Sequence, residues 1–74
     1  MGKSAGKVYK ISELVGTSSE SYADATRVAI ARASKTLKGL SWFEVTNQRG
    51  RIEDGKVSEF QVALKVGFRI IDKA

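Results

Sequence analysis

The sequence predicts an α+β fold with the element order β-α-β-β, in which a three-stranded antiparallel sheet partly wraps one helix. Two observations carry this prediction. Asp54-Gly55 stands between two long alternating runs, and this pair is among the strongest short-range hairpin signals because both central turn residues need φ > 0. Before the hairpin, an alanine-rich amphipathic segment follows a shorter alternating run.

The size and composition limit how such a fold is stabilised. A chain of 74 residues forms one domain and buries only about 60% of its unfolded surface. It contains no cysteine and no histidine, so neither a disulfide nor a His/Cys zinc site is available. Tight packing or association with identical copies is therefore expected to supply the remaining stability.

The chain divides into a short tail and one domain. Residues 1–6 are rich in Gly, Ser and Lys and are predicted to be disordered, and residues 7–74 form the domain. The tail lacks the apolar stretch of a signal peptide, and no run approaches the roughly 20 apolar residues of a membrane span. We therefore expect a cytoplasmic protein without a membrane partner.

The first strand and the helix follow from alternation and capping signals. Lys7 to Val15 alternates imperfectly and predicts the first strand, although the pattern does not show which side faces inward. Thr17 with Glu20 three residues later matches a capping box, which predicts the start of the helix. The helix is expected to run to about Lys38 and to stop at Gly39.

The helix is predicted to place small side chains against the sheet. At 100° per residue, one side collects apolar residues that are mostly alanine, which allows close packing. These residues are Tyr22, Ala25, Ala29, Ile30, Ala33, Leu37 and Leu40.

The hairpin is predicted to consist of residues 41–53 and 57–72. A two-residue turn places Glu53 opposite Lys56, and counting back places Trp42 opposite Gly67. The apolar face then carries Phe43, Val45, Val62, Leu64, Val66 and Phe68. The other face carries Trp42, Glu44, Thr46, Gln48, Gln61, Ala63, Lys65 and Gly67. This second face is polar apart from one indole, which is an unusual position for so large an aromatic group.

The predicted lengths favour self-association. A 19-residue helix is about 28 Å long, whereas a 13-residue strand reaches roughly 43 Å. The far end of the hairpin then has no helix of its own chain to cover it, and we expect identical copies to do so.

The sequence does not support catalysis. No histidine or cysteine is present, no serine has a general base within evident reach, and the one adjacent acidic pair, Glu53-Asp54, lies in the turn. The formal charge of +5 is compatible with nucleic acid or a phosphorylated small molecule. Because the basic residues are scattered, an ordinary solvated surface is the favoured explanation.

Three side chains are candidates for ligand binding. Trp42 offers a stacking surface and Gln61 offers a donor beside an acceptor, which together suit a planar heteroaromatic ring with an amide-like edge. Packing of Trp42 in a subunit interface explains the pattern equally well. Arg49 and Arg51 flank Gly50 and suit either a phosphate or an ion pair with Glu53 or a neighbour, with the ion pair favoured.

Five blocks of the sequence resemble the dodecin family in order and spacing. They are Val15-Gly16-Thr17-Ser18, Ser41-Trp42-Phe43-Glu44-Val45, Arg49-Gly50, Phe60-Gln61-Val62 and Val66-Gly67-Phe68-Arg69. The resemblance extends from Lys7 to Ile71. It departs from many members in the longer basic tail and at Asn47 and Arg51.

The resemblance implies a β-α-β-β subunit that assembles into a hollow homododecamer and binds flavin. It implies that two isoalloxazine rings stack between tryptophans of symmetry-related subunits, where Trp42 matches the tryptophan. Gln61 matches the glutamine that bonds the pyrimidine edge, and Arg49 is similar in place to an arginine near the flavin. FMN, or riboflavin, is the implied cofactor, and coenzyme A is a further ligand of some members.

Our hypothesis from the sequence is therefore flavin storage and sequestration with quenching of flavin photochemistry, without enzymatic activity. A second hypothesis is a small basic module that binds single-stranded nucleic acid, in which Trp42 stacks a base and Lys65, Arg49 and Arg51 contact phosphates. A third is a purely structural shell in which Trp42 is interface packing.

Overall fold

A computed structural model describes residues 6–70 as a sheet of three strands with one helix. The elements are β1 (Tyr9–Ser18), α1 (Tyr22–Ala33), β2 (Leu40–Glu53) and β3 (Lys56–Arg69). All strand pairs are antiparallel and the order is β1-β3-β2, so β3 is the central strand. The predicted β-α-β-β fold is confirmed.

Two of the predictions concern the ends of the chain. Of the tail predicted to be disordered, only Gly6 belongs to the described residues. The third strand was predicted to reach Asp72, but the observed strand ends at Arg69, and Asp72 lies outside the described residues. No helix in the described part of the chain has the length and apolarity to cross a membrane.

The core lies between α1 and one side of β3, which we call the inner face. Val62, Leu64 and Val66 alternate along β3 and are 0%, 1% and 1% exposed. The helix covers these three residues with small side chains, and larger apolar side chains pack around the contact. The helix contributes buried Ala25, Ala29 and Ala33, with Tyr22, Ile30, Leu37 and Leu40 at the margins of the core. The predicted stripe is confirmed for its residues within α1, whereas Leu37 and Leu40 pack against the core from beyond the end of the helix, Leu40 as the first residue of β2.

Close approach of the helix to β1 depends on Gly16. A Cβ atom at this position would collide with the backbone carbonyl oxygen of Ala25 and would lie 2.8 Å from the Ala29 Cβ. Only a residue without a side chain allows the helix backbone to pack so near the strand.

The predicted start of the helix at Thr17 is wrong. Thr17 and Ser18 continue β1, where they pair with Gln61 and Phe60 of β3. The N-cap is Ser21, whose Oγ accepts a hydrogen bond from the Asp24 backbone N–H at 2.9 Å. The pairing with β3 satisfies the backbone groups that a cap at Thr17 would have used, so the strand prevails over the capping signal.

The end of the helix also comes earlier than predicted. The helix stops at Ala33, and the N–H groups of Lys35 and Thr36 bond to the carbonyls of Arg32 and Ala33, three residues back. This tighter pattern ends the α-helix. Gly39 has a positive φ of 78°, as a stop residue would, but it lies in the connection to β2 rather than at the C′ position.

The hairpin turn agrees with the prediction. Asp54 and Gly55 have φ values of 53° and 74°, and Glu53 pairs with Lys56. At the opposite end, the predicted pairs from Trp42 with Gly67 to Val45 with Leu64 are all observed. Glu44 and Lys65 are thus cross-strand neighbours, although no ion pair within 4.0 Å joins them in the described chain.

The middle of the hairpin differs from the predicted register. Thr46 is an extra residue in β2, and its Oγ1 donates to the Ala63 carbonyl at 3.1 Å. Beyond it, Arg49 rather than Gln48 pairs with Gln61, until a compensating irregularity between Arg51 and Ile52 restores the turn register. The predicted pairing of Gln48 with Gln61 is therefore wrong. A β-bulge shifts alternation by one residue, so it moves Gln48 and Arg49 to opposite faces from those predicted.

The hairpin extends far beyond the helix. The 12 residues of α1 are about 18 Å long, whereas the 14 residues of β2 reach about 46 Å. The longest dimension is 64 Å and the radius of gyration is 16.2 Å, against about 11 Å for a compact chain of this size. The hairpin leaves several apolar side chains exposed, namely Phe43, Val45, Ile52 and Val57. That identical copies cover them remains a prediction.

Candidate ligand-binding face

The side of the sheet opposite the helix, which we call the outer face, carries the candidate tryptophan. Trp42 pairs with Gly67, and a Cβ atom at Gly67 would collide with the six-membered ring of the indole. The indole therefore lies across the glycine. The ring of Tyr9 meets it edge-on at a centroid distance of 4.9 Å and an interplanar angle of 60°. Trp42 remains 44% exposed, so the indole is held in place without being enclosed.

A second group of candidate residues lies toward the hairpin turn. Arg49 Nε donates to Gln61 Oε1 at 3.1 Å, and Gln61 Nε2 donates to Glu59 Oε1 at 2.8 Å. Arg51 Nε is 3.9 Å from the same carboxylate oxygen, in place of the predicted pairing with Glu53. We call Arg49, Gln61, Glu59 and Arg51 the amide network. The Thr46 bulge creates it, because the register without a bulge places Arg49 on the inner face.

Glu59 was not singled out from the sequence. It precedes Gln61 by two residues on one strand, and residues at that spacing share a face of a sheet. This spacing was the available signal. Without the bulge, however, nothing indicated that Gln61 had partners on both sides.

The structure brings Arg49 and Gln61 together but leaves Trp42 apart. Trp42 lies over Gly67, six residues along β3 from Gln61, which corresponds to about 20 Å. Between them the outer face carries a row of alternating charge formed by Glu13, Lys65 and Glu44. The two candidate groups of one protomer therefore occupy opposite ends of the outer face.

Other features of the molecule do not compete with this face. Residues 6–70 contain no cluster of three or more His, Cys, Asp or Glu side chains that could hold a metal ion. A cleft of about 640 Å³ runs between β1 and α1, and its lining includes Leu14, Val28 and Arg32 but none of the candidate residues.

The fold and this face define a class of protein: a small sheet-and-helix subunit whose open sheet surface carries a part-exposed indole and a hydrogen-bonded amide. The comparisons place the chain within that class. Residues 8–71 match the family model described as Dodecin. A dodecin of Thermus thermophilus is 57% identical over 65 residues, which cover 88% of this chain and 94% of that protein.

Solved structures agree with this assignment. The dodecin of Streptomyces coelicolor matches with a TM-score of 0.89 and 48% identity, over 95% of this chain and all of that one. The dodecin of Streptomyces davaonensis matches with a TM-score of 0.88 and 44% identity, over 92% of this chain and all of that one. The chain belongs to the dodecin family. Dodecins are small flavin-binding storage proteins, not known as enzymes, and membership indicates oligomeric assembly.

Proposed function

We propose that this protein stores FMN or riboflavin by stacking the isoalloxazine ring on Trp42, inside a shell of twelve identical chains. The observation that carries the proposal is the indole lying across Gly67 on an open face, 44% exposed. The exposed part of the indole stays in contact with water until another group covers it, and a planar ring matches its flat surface. Stacking aromatic rings adds about 0.5–1.5 kcal/mol beyond the buried area.

Stacking on Trp42 would also protect the flavin from light. The indole is electron-rich, and in contact with an excited flavin it can donate an electron before the flavin emits or reacts. Fluorescence and photochemistry of the bound flavin are then both suppressed. No catalytic group is required, so we propose storage and sequestration without turnover.

The separation of the candidate residues supports a site shared between protomers. Trp42 and Gln61 of one chain are about 20 Å apart along β3, which is more than one three-ring heterocycle spans. A flavin that stacks on one indole and bonds an amide would therefore take them from different copies. Such an arrangement would also cover apolar side chains that one protomer leaves exposed on the hairpin, among them Phe43 and Val45.

Arg49 is the proposed phosphate contact. A guanidinium has five N–H donors, and the bond to Gln61 uses only the one on Nε. The remaining donors suit the phosphate of FMN, which is a reason to expect FMN to bind more tightly than riboflavin. Coenzyme A is a further candidate among anionic ligands, to which we assign no residues.

Titration of FMN into the protein, Trp42→Phe and Trp42→Ala tests the proposal. We expect strong quenching of flavin fluorescence by the parent protein. Trp42→Phe should retain stacking but quench less, because a phenyl ring is a poorer electron donor. Trp42→Ala should weaken binding by about tenfold or more.

The same samples provide the control. Light scattering and urea unfolding of each variant show whether the assembly is intact. Equal affinity and equal flavin fluorescence for all three intact proteins would refute the proposal and favour the structural shell, whose purified protein should also be colourless. No observation favours the nucleic-acid alternative, since Glu13 and Glu44 flank Lys65 on the outer face.

A further inference from the structure

The amide network constrains the orientation of the Gln61 side chain from two sides. Arg49 Nε is a donor and meets Oε1 at 3.1 Å, whereas the Glu59 carboxylate is an acceptor and meets Nε2 at 2.8 Å. A reversed amide would place donor against donor on one side and acceptor against acceptor on the other. Both neighbours therefore stabilise the same orientation, and the bonds involve charged groups, which are the stronger kind.

The constrained amide keeps one free position on each polar atom. Its oxygen has a second lone pair and its nitrogen has a second hydrogen. An acceptor therefore stands on the side of Arg49, on β2, and a donor stands on the side of Glu59, toward the turn. This order matches a ring edge that carries an N–H donor beside a carbonyl acceptor, with the N–H on the side of Arg49.

Glu59 is placed to hold this arrangement. Its side chain is 32% exposed, and Arg51 Nε lies 3.9 Å from the oxygen that accepts the Gln61 bond. An exposed ion pair of this length contributes little stability. Strand alternation already places the carboxylate on the same face as the amide, and Arg51 lies opposite it in the strand pair.

We propose that Glu59 is a positioning and specificity-determining residue: it fixes the Gln61 amide so that the site selects planar ligands with a lactam or imide edge. This inference rests on the proposed function, because it concerns the same flavin. Glu59 itself does not touch the ligand in this scheme. It acts through Gln61 by holding the amide donor and acceptor in the positions that meet the ring edge.

The test compares riboflavin with N3-methylriboflavin, which lacks the ring N–H donor. Riboflavin carries no phosphate, so removing the negative charge of Glu59 cannot change its affinity through an interaction with a phosphate group. We expect the parent protein to prefer riboflavin by about tenfold, the value of one well-formed hydrogen bond. Glu59→Ala should reduce this preference to about threefold or less while binding the methylated analogue as the parent does.

Combining Glu59→Ala with a Gln61 variant separates a positioning role of Glu59 from a general loss of binding. Gln61→Ala should lose the preference, and adding Glu59→Ala to it should change nothing further, since the effect passes through the amide. Glu53→Ala removes the same charge at the end of the hairpin and should keep the parent preference. Light scattering of each variant verifies that the assembly persists.

The outcomes distinguish the two proposals. If the parent binds neither flavin, the proposed function fails and this inference fails with it. If the parent prefers riboflavin and Glu59→Ala keeps the full preference, only the role of Glu59 is refuted. An equal loss of affinity for both ligands in Glu59→Ala would likewise refute positioning, because a structural defect would act on both.

Discussion

The two faces of β3 differ in what covers them. On the inner face, Val62, Leu64 and Val66 are closed over by alanines of the helix. On the outer face, no second layer of the described residues covers Gln61 and Gly67, and the indole of Trp42 lies over the glycine. One strand thus provides stability through one set of alternate residues and the candidate ligand surface through the other.

Each face of the sheet contains a glycine whose missing side chain makes room for another group. Gly16 is on the inner face, where its missing side chain admits the backbone of the helix. Gly67 is on the outer face, where its missing side chain leaves room for another side chain, the indole of Trp42. The same substitution at each should therefore have different consequences, because a helix backbone cannot move aside as easily as one side chain.

The largest expected effect is that of Gly16→Ala. The new methyl group would overlap the Ala25 carbonyl and crowd the Ala29 Cβ at 2.8 Å. We expect the free energy of unfolding to fall by about 3 kcal/mol, at the upper end of overpacking costs. Urea unfolding measures this, at one protomer concentration because assembly contributes to the stability. A change as small as that for Gly67→Ala would show that the helix can shift without cost.

Gly67→Ala should instead affect the ligand surface. Its methyl group occupies the place of the indole, which must swing away from the strand. We expect flavin affinity to fall about tenfold, equivalent to about 1.4 kcal/mol, while the free energy of unfolding falls by about 1 kcal/mol or less. The emission maximum of Trp42 should shift to longer wavelength as the indole enters water. Unchanged emission and affinity would mean that Gly67 does not position the indole.

The contribution of β3 and the helix to the inner face could be predicted from the sequence, whereas the inward side of β1 and the ends of the helix could not. The Asp54-Gly55 turn set the register at one end of the hairpin, and the alanine stripe identified the buried side of the helix. Both signals are local or periodic, so the chain displays them directly. The position of Trp42 over Gly67 followed from the same counting.

The outer face could be predicted only in part. The irregularities around Thr46 and Ser58 cancel, so the pairs from Trp42 to Val45 and those next to the turn keep the simple register while the middle is displaced by one residue. No residue type in the sequence marks this displacement, and alternation alone placed Arg49 on the wrong face. The contact between Arg49 and Gln61 therefore required the structure.

The start of the helix could not be predicted for a different reason. It also leads to the mutation with the smallest expected effect. Thr17 had the sequence pattern of a cap, yet Ser18 is the residue that ties β1 to the helix. Its Oγ donates to Asp24 Oδ2 at 2.7 Å and accepts from the Glu20 N–H at 2.8 Å. Ser18 is only 9% exposed, so water cannot readily replace these partners. Capping signals compete with strand pairing, and the sequence alone does not show which prevails.

Ser18→Ala should lower the free energy of unfolding by about 1 kcal/mol, because it removes both bonds and leaves a part-buried carboxylate without its donor. Thr17→Ala is the matched control, since Thr17 is exposed and pairs within β1 and β3. It should change the free energy of unfolding by about 0.5 kcal/mol or less. Urea unfolding of the two variants measures the difference. A larger loss of stability in Thr17→Ala than in Ser18→Ala would contradict this prediction. It would show that the hydrogen bonds of Ser18 between β1 and α1 do not stabilise the fold.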